Sequence, residues 1–218
     1  WESGCKGITV YRDGSRSGVL IADKKENEEE IISKFLETKA PKRPDKLEAE
    51  VVKFFNEDAK WIAVIGLLDG RPYEIFTGGA EESFQILSFV EKGWVLKKKS
   101  DDGKSRYDFQ YEDSQGYKTT IEGLSRTFNE EYWNYAKLIS GVLRHGMPLS
   151  FVVNMVENLH LNDETLNTWK KGVVRSLKKF IPDGTKPPSN ECPECNEPSL
   201  VYEEGCLNCK SCGHSKCG

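Results

Sequence analysis

The chain has 218 residues, of which 37% are hydrophobic and 30% charged, and it carries a net charge of -4. That length suffices for one large domain or two small ones, and the composition excludes wholesale disorder. No apolar run approaches the ~20 residues of a membrane span, and a pI of about 5.6 supplies no global basic surface for phosphates. The opening Trp1-Glu2-Ser3-Gly4-Cys5 lacks the basic and apolar regions of a signal peptide and reads as the start of a fragment.

Gly7 to Tyr11 is a short β-branched run, followed by a turn at Arg12-Asp13-Gly14-Ser15. Residues 19–45 read as a charge-rich linker, in which Ile31, Ile32, Phe35 and Leu36 form a short amphipathic helix before Pro41 and Pro44 block it. Strands are predicted at 51–55 and 61–65, and Asp69-Gly70 makes a hairpin turn into Tyr73-Glu74-Ile75-Phe76. Trp94 to Leu96 follows, with Lys97, Lys98 and Lys99 as its solvated end. Tyr107, Phe109 and Tyr111 then alternate with polar residues, as do Tyr117, Thr119 and Ile121 after a turn at Asp113 to Gly116. Period two with one polar face predicts a sheet covered on one side.

The period then becomes helical. Thr127-Phe128-Asn129-Glu130 is a capping-box pattern, and Tyr132, Tyr135, Ala136, Ile139, Val142 and Leu143 form one apolar face. Pro148 restarts a helix through Val152, Val153, Val156 and Leu159, and a third begins near Asp163 with Leu166, Trp169, Val173, Leu177 and Phe180 on its stripe. Strands followed by helices predict an α+β domain over 46–181, an antiparallel sheet with helices on one face. Residues 182–191, containing Pro187-Pro188, read as a semi-rigid linker.

Six of the seven cysteines lie between Cys192 and Cys217, and Cys5 is assigned no role. A Cys-poor body with a Cys-dense tail points to a reducing cytoplasm and to a metal or redox function, rather than to a disulfide-stapled secreted fold. Two Cys-x-x-Cys turns bracketing the Ser199 to Tyr202 strand predict a small zinc-ribbon domain over 192–218. Cys192 and Cys195 form the first ligand pair. The second is Cys209 with Cys212, or Cys206 with Cys209. The former places Gly213 after the knuckle, where a positive φ is needed, and leaves Cys206 and Cys217 on the two arms of the hairpin. The latter leaves Cys212 and Cys217. Either way one dithiol is spare, and the neighbouring His214 and Lys216 favour a thiolate there.

Elsewhere the chemical signals are weak. Gly78-Gly79 lacks the Lys and helix of a phosphate loop. His145 and His160 fall toward helix ends, Trp133 and Trp169 are core candidates, and Glu130 and Glu131 are helix-start charges.

Four stretches together resemble a known family. Gly4 to Arg16 looks like the closing segment of the catalytic barrel of adenosylcobalamin-dependent (class II) ribonucleotide reductases, which gives residues 1–18 to that barrel. Lys42-Arg43-Pro44 and Gly70 to Phe76 resemble the TSCPD-type domain that follows the barrel, and Leu138 to Gly146 is similar to its helix. Cys192 to Gly218 is similar to the family's cysteine-rich zinc tail.

The resemblance implies part of an enzyme that reduces ribonucleotides to 2′-deoxyribonucleotides by adenosylcobalamin-initiated thiyl-radical chemistry. The ribonucleotide binds in the barrel, which this chain lacks. The tail would deliver electrons from thioredoxin or a similar reductant to the barrel's disulfide. With Cys192, Cys195, Cys209 and Cys212 on zinc, the electron carriers are Cys206 and Cys217. A cytoplasmic enzyme with no membrane and no nucleic-acid partner is expected. The alternatives are a nucleic-acid-binding zinc ribbon and a stand-alone thiol oxidoreductase. Against the first, residues 190–218 hold five Glu and two Lys. Against the second, Cys192-Pro193-Glu194-Cys195 has no βαβ context.

Overall fold

Two antiparallel meanders build the main sheet. β1 (Lys46–Asn56), β2 (Ala59–Leu68) and β3 (Arg71–Gly79) form one, and β4 (Lys92–Lys99), β5 (Ser105–Glu112) and β6 (Lys118–Ile121) form the other. β1 pairs with β4, so the order is β3-β2-β1-β4-β5-β6. This computed structural model describes Gly4 and residues 39–80, 86–99, 102–124, 130–161 and 166–217. The predicted strand at Gly7 to Tyr11, the helix at 31–36 and the first three capping-box residues lie outside the described residues. The turn at Asp69-Gly70 has φ of 51° and 77°, as a two-residue hairpin turn demands.

Register sorts the side chains onto two faces. Val51, Val64 and Phe76 align across the first meander, and Leu47, Val95 and Phe109 align across the junction with the second. Of these, Val51, Val64, Phe76, Val95 and Phe109, closed over by Ile86, Val90, Leu124 and Trp133, belong to one apolar cluster. The opposite face carries Phe54, Ala63, Ile65 and Ile75 and is covered by three helices. They are α1 (Glu130–Arg144), α2 (Leu149–Glu157) and α3 (Trp169–Lys178). The fold is therefore α+β, with the helices on one face.

Each helix is fixed by a specific contact. α1 runs beside β3, the edge strand, where Ser140 Oγ accepts the Ile75 N–H at 3.0 Å and so satisfies an edge donor. Arg71 donates to the Leu143 and Met147 carbonyls at 3.1 and 2.6 Å and closes the C-terminal end of α1. The helix expected from about Asp163 begins later, at Trp169. Thr168 is extended, and its Oγ1 accepts the Lys171 N–H, which makes Thr168 the cap. Trp169 is buried and donates from Nε1 to Thr77 Oγ1 at 2.9 Å. A Cβ added at Gly172 would lie 2.0 Å from the Phe54 ring, so this glycine lets α3 approach β1.

Glu74 on β3 is fully buried and meets two cations. Arg43, from the segment preceding β1, approaches at 2.6 Å and Arg144 at 2.9 Å. Beside them the Tyr73 hydroxyl donates to the Pro41 carbonyl at 2.7 Å.

The tail forms a second sheet of β7 (Leu200–Glu203), β8 (Cys206–Cys209) and β9 (Ser215–Lys216), in that order. Ala40–Gly218 is one compact unit. Tyr202 is 2% exposed and belongs to the helix-side core. Residues 182–191 do not behave as a spacer. Gly184 N–H donates to the Tyr202 carbonyl at 2.7 Å, Tyr202 N–H to the Thr185 carbonyl at 2.8 Å, and Leu200 N–H to the Asn190 carbonyl at 3.1 Å. The segment lies along β7 because β7 offers it unpaired backbone groups.

Two substitutions check this packing by urea unfolding. Gly172→Ala is expected to destabilise by about 1–3 kcal/mol through overpacking against Phe54, although alanine is the better helix former. Tyr202→Ala is expected to cost about 3 kcal/mol or more, as loss of a buried aromatic does. A free tail would leave the second substitution silent.

Candidate metal centre

Two tight turns in the tail have the same construction. In the first, Asn196 N–H donates to the Cys192 carbonyl at 2.8 Å, and in the second Gly213 N–H donates to the Cys209 carbonyl at 3.0 Å. Asn196 and Gly213 both take positive φ, 57° and 76°. Each turn thereby curls its two cysteines toward one point, and the hairpin of β7 and β8 sets the turns face to face.

The sulfurs of Cys192, Cys195, Cys209 and Cys212 all lie within 4.8 Å of one another. Cys192 and Cys212 are 3.7 Å apart and Cys195 and Cys209 3.6 Å. Four sulfurs placed tetrahedrally about 2.3 Å from a metal are separated by about 3.8 Å. The donor set therefore fits a metal ion in both chemistry and spacing. Cys206 stands outside it. It opens β8, and an extended strand separates Cys206 from Cys209 by about 10 Å, too far to share an ion.

The cluster favours one thiolate and disfavours ionisation of its neighbours. The Ser199 hydroxyl, 3.0 Å from Cys209 Sγ, stabilises the Cys209 thiolate most. The N–H groups of Cys212 and Ser211 add to it against the effect of burial, and the pKa falls to about 5. Cys195 accepts the Glu197 N–H, yet burial and the sulfurs of Cys209, Cys212 and Cys192 push it up to about 12. Cys212 accepts the His214 N–H, but the Cys209 sulfur and burial raise it overall. One sulfur ionises and its neighbours then resist. A bound dication removes that repulsion.

Cys206 and Cys217 are joined to each other, with Cα atoms 4.4 Å apart. Register explains the pairing. Leu207 faces Lys216 and Asn208 faces Ser215, so one step further Cys206 faces Cys217. Cys217 is exposed and Cys206 half-buried. Ser199 and Asn196 are the residues that sequence reasoning missed; an Asn directly after Cys-x-x-Cys was the available signal.

The remaining sequence candidates are structural. Gly78 and Gly79 end β3, paired with Ile62 and Trp61. His145 and His160 are exposed just beyond α1 and α2. Lys98 pairs with Asp108 at 3.1 Å. No helix among the described residues is long and apolar enough to cross a membrane.

A family model described as NrdJ homologue C-terminal domain matches residues 47–182. The chain belongs to that family. It is thereby related to the class II ribonucleotide reductase NrdJ, and its function is ribonucleotide reductase-related. No curated protein and no solved structure matches the chain. The family match ends before Cys192, so it does not cover the four-sulfur cluster or the Cys206–Cys217 disulfide of this NrdJ-family chain.

Ser199 supplies a direct check on the centre. Ser199→Ala is expected to weaken metal binding by about tenfold, the effect typical of losing an outer hydrogen bond to a ligand. Competition against a chromogenic chelator measures it.

Proposed function

We propose that this chain is the C-terminal part of a vitamin B12-dependent ribonucleotide reductase and that its ribbon relays electrons into that enzyme. One observation supports this most: a disulfide, Cys206–Cys217, stands apart from a four-sulfur cluster in a chain of the NrdJ family. The two sets of cysteines divide the work.

Cys192, Cys195, Cys209 and Cys212 are assigned to zinc, which suits sulfur ligands in tetrahedral array. Bound there, zinc supplies charge neutralisation and ribbon stability. Cys206 and Cys217 carry electrons. The thiolate of a thioredoxin-like reductant attacks the exposed Cys217 sulfur, forms a mixed disulfide and releases Cys206 as a thiolate. The reductant's second thiol displaces Cys217, leaving the reductant oxidised and the ribbon as a dithiol. That dithiol exchanges with the disulfide left in the catalytic barrel after each turnover, returning two electrons and two protons to it. Adenosylcobalamin and the ribonucleotide belong to the barrel, and no described residue is assigned to either. A cytoplasmic setting goes with this chemistry, since the pair must be kept reducible.

The docked ribbon constrains the relay. Residues 182–191 are hydrogen-bonded along β7, so the proline pair gives the cysteines no free reach. The domain and its ribbon approach the barrel together.

In the full-length reductase, Cys206→Ser/Cys217→Ser is expected to abolish repeated turnover with thioredoxin while zinc stays bound. A single turnover from pre-reduced enzyme is expected to survive. Undiminished thioredoxin-driven turnover would overturn the relay assignment.

A further inference from the structure

One short hairpin carries both sets of cysteines. Its open end is the Cys206–Cys217 disulfide. Its closed end is the turn from Cys209 to Gly213, whose Cys209 and Cys212 sulfurs complete the four-sulfur cluster. Only two residue pairs, Leu207 with Lys216 and Asn208 with Ser215, lie between them. β9 has two residues, both exposed, and among the described residues β8 is its sole neighbour in the sheet. A two-residue edge strand does not hold its own register. Its position depends on the ties at the two ends.

β8 is held differently. It is the central strand, paired with β7 from Leu200 opposite Cys209 to Glu203 opposite Cys206. β7 in turn is anchored by Tyr202 in the main core. The fixed member of the hairpin therefore carries Cys206 and Cys209, and the dependent member carries Cys212 and Cys217. Each tie restrains the same dependent arm.

We infer that the metal cluster and the Cys206–Cys217 pair are thermodynamically coupled. Metal on the cluster favours the disulfide, and the disulfide strengthens metal binding by the same factor. With metal bound, Cys212 is pinned beside Cys209, the arm lies along β8, and the Cys217 thiol is held near the Cys206 thiol. Closing the bond then costs less chain entropy. With the disulfide closed, Cys209 and Cys212 sit in a short covalent loop, and the metal orders less chain on binding. Equality of the two factors follows from linkage. Cys209 and Cys212 are thus positioning residues for the redox pair. Reduction loosens the arm that carries Cys217, and loss of metal makes the pair easier to reduce. The inference rests on the metal assignment proposed above, and it holds whether or not the pair serves a reductase.

The test uses the whole 218-residue chain and reads metal affinity and redox equilibrium. In the first arm, zinc is competed against a chelator under argon, comparing the oxidised protein with Cys206→Ala/Cys217→Ala. The disulfide-free variant is expected to bind zinc about tenfold more weakly, within the usual range of coupling. In the second arm, zinc-loaded protein and the metal-free Cys192→Ser/Cys195→Ser/Cys209→Ser/Cys212→Ser variant are equilibrated in glutathione buffers. There two thiols of the pair are oxidised as one glutathione disulfide is reduced to two glutathiones. Alkylation and mass spectrometry read the extent. The zinc-loaded pair is expected to be about tenfold harder to reduce, a potential about 30 mV more negative for a two-electron couple. Near-ultraviolet circular dichroism verifies that the main domain of each variant stays folded. Equal values in either arm, or tighter zinc binding once the disulfide is gone, would overturn the coupling. Failure of the oxidised wild-type protein to bind zinc would instead overturn the metal assignment, and the coupling with it.

Discussion

A fully buried carboxylate organises this domain. Glu74 has no solvent, and an unpaired charge in that position would cost several kcal/mol. It is kept in place by guanidiniums from two distant parts of the chain. Arg43 comes from the segment before β1 and Arg144 from the end of α1. Gly66 makes room on the adjacent strand, where a Cβ would meet Glu74 Cγ at 2.8 Å. Satisfying this one side chain therefore fixes the incoming segment, the edge strand and the first helix relative to each other. The stretches around Arg43, Glu74 and Arg144 look unrelated in the sequence. In space they are one ion cluster.

The ribbon is built outward from that domain. A sheet of three strands, the longest of four residues, has almost no core of its own; its buried cluster is Cys192, Leu200 and Cys209. Two supports make up the deficit. Tyr202 projects from β7 into the core beneath the helices, and the four sulfurs gather where a metal would bind. Tyr202 shows how dry the first support is. Burial, helped by the charge of Glu157, pushes its phenol pKa up to about 12. The ribbon is accordingly an appendage whose inner edge is part of the domain, and only its outer hairpin is free to respond to chemistry.

That arrangement places the Cys206–Cys217 disulfide on the outer side of the ribbon. Cys192 and Cys209 are buried at the base of the ribbon, while Cys217 is exposed on the outer arm. A thiol that must meet a partner protein needs access, and a metal ligand needs exclusion from competing thiols. Along the β8–β9 hairpin Cys209 is buried, whereas Cys212 in the turn and Cys217 on the outer arm are exposed.

The α+β class, the main strands and helices, and the Cys192–Cys195 ligand turn are legible in the sequence. These follow from local rules. Period-two alternation at Tyr107, Phe109 and Tyr111, the Asp69-Gly70 turn, and a positive φ at Gly213 are properties of short stretches, legible wherever they occur. Which segments meet depends on packing between distant parts of the chain. The start of α3 at Trp169 was obscured because the apolar stripe extends back to Leu166, while the cap belongs to Thr168. The choice between Cys206 and Cys212 as partner of Cys209 was open in the sequence, since both pairs have the same spacing. In the fold β8 is extended and keeps Cys206 away, whereas the turn after Cys209 brings Cys212 round. Residues 182–191 read as a spacer because prolines and polar residues signal loops, yet backbone hydrogen bonds to β7 hold them. Local composition cannot report those bonds, nor the burial of Tyr202, because each depends on groups far away in the chain. Burial and pairing are properties of the packed molecule, and they decided where the ribbon sits and which sulfurs face one another.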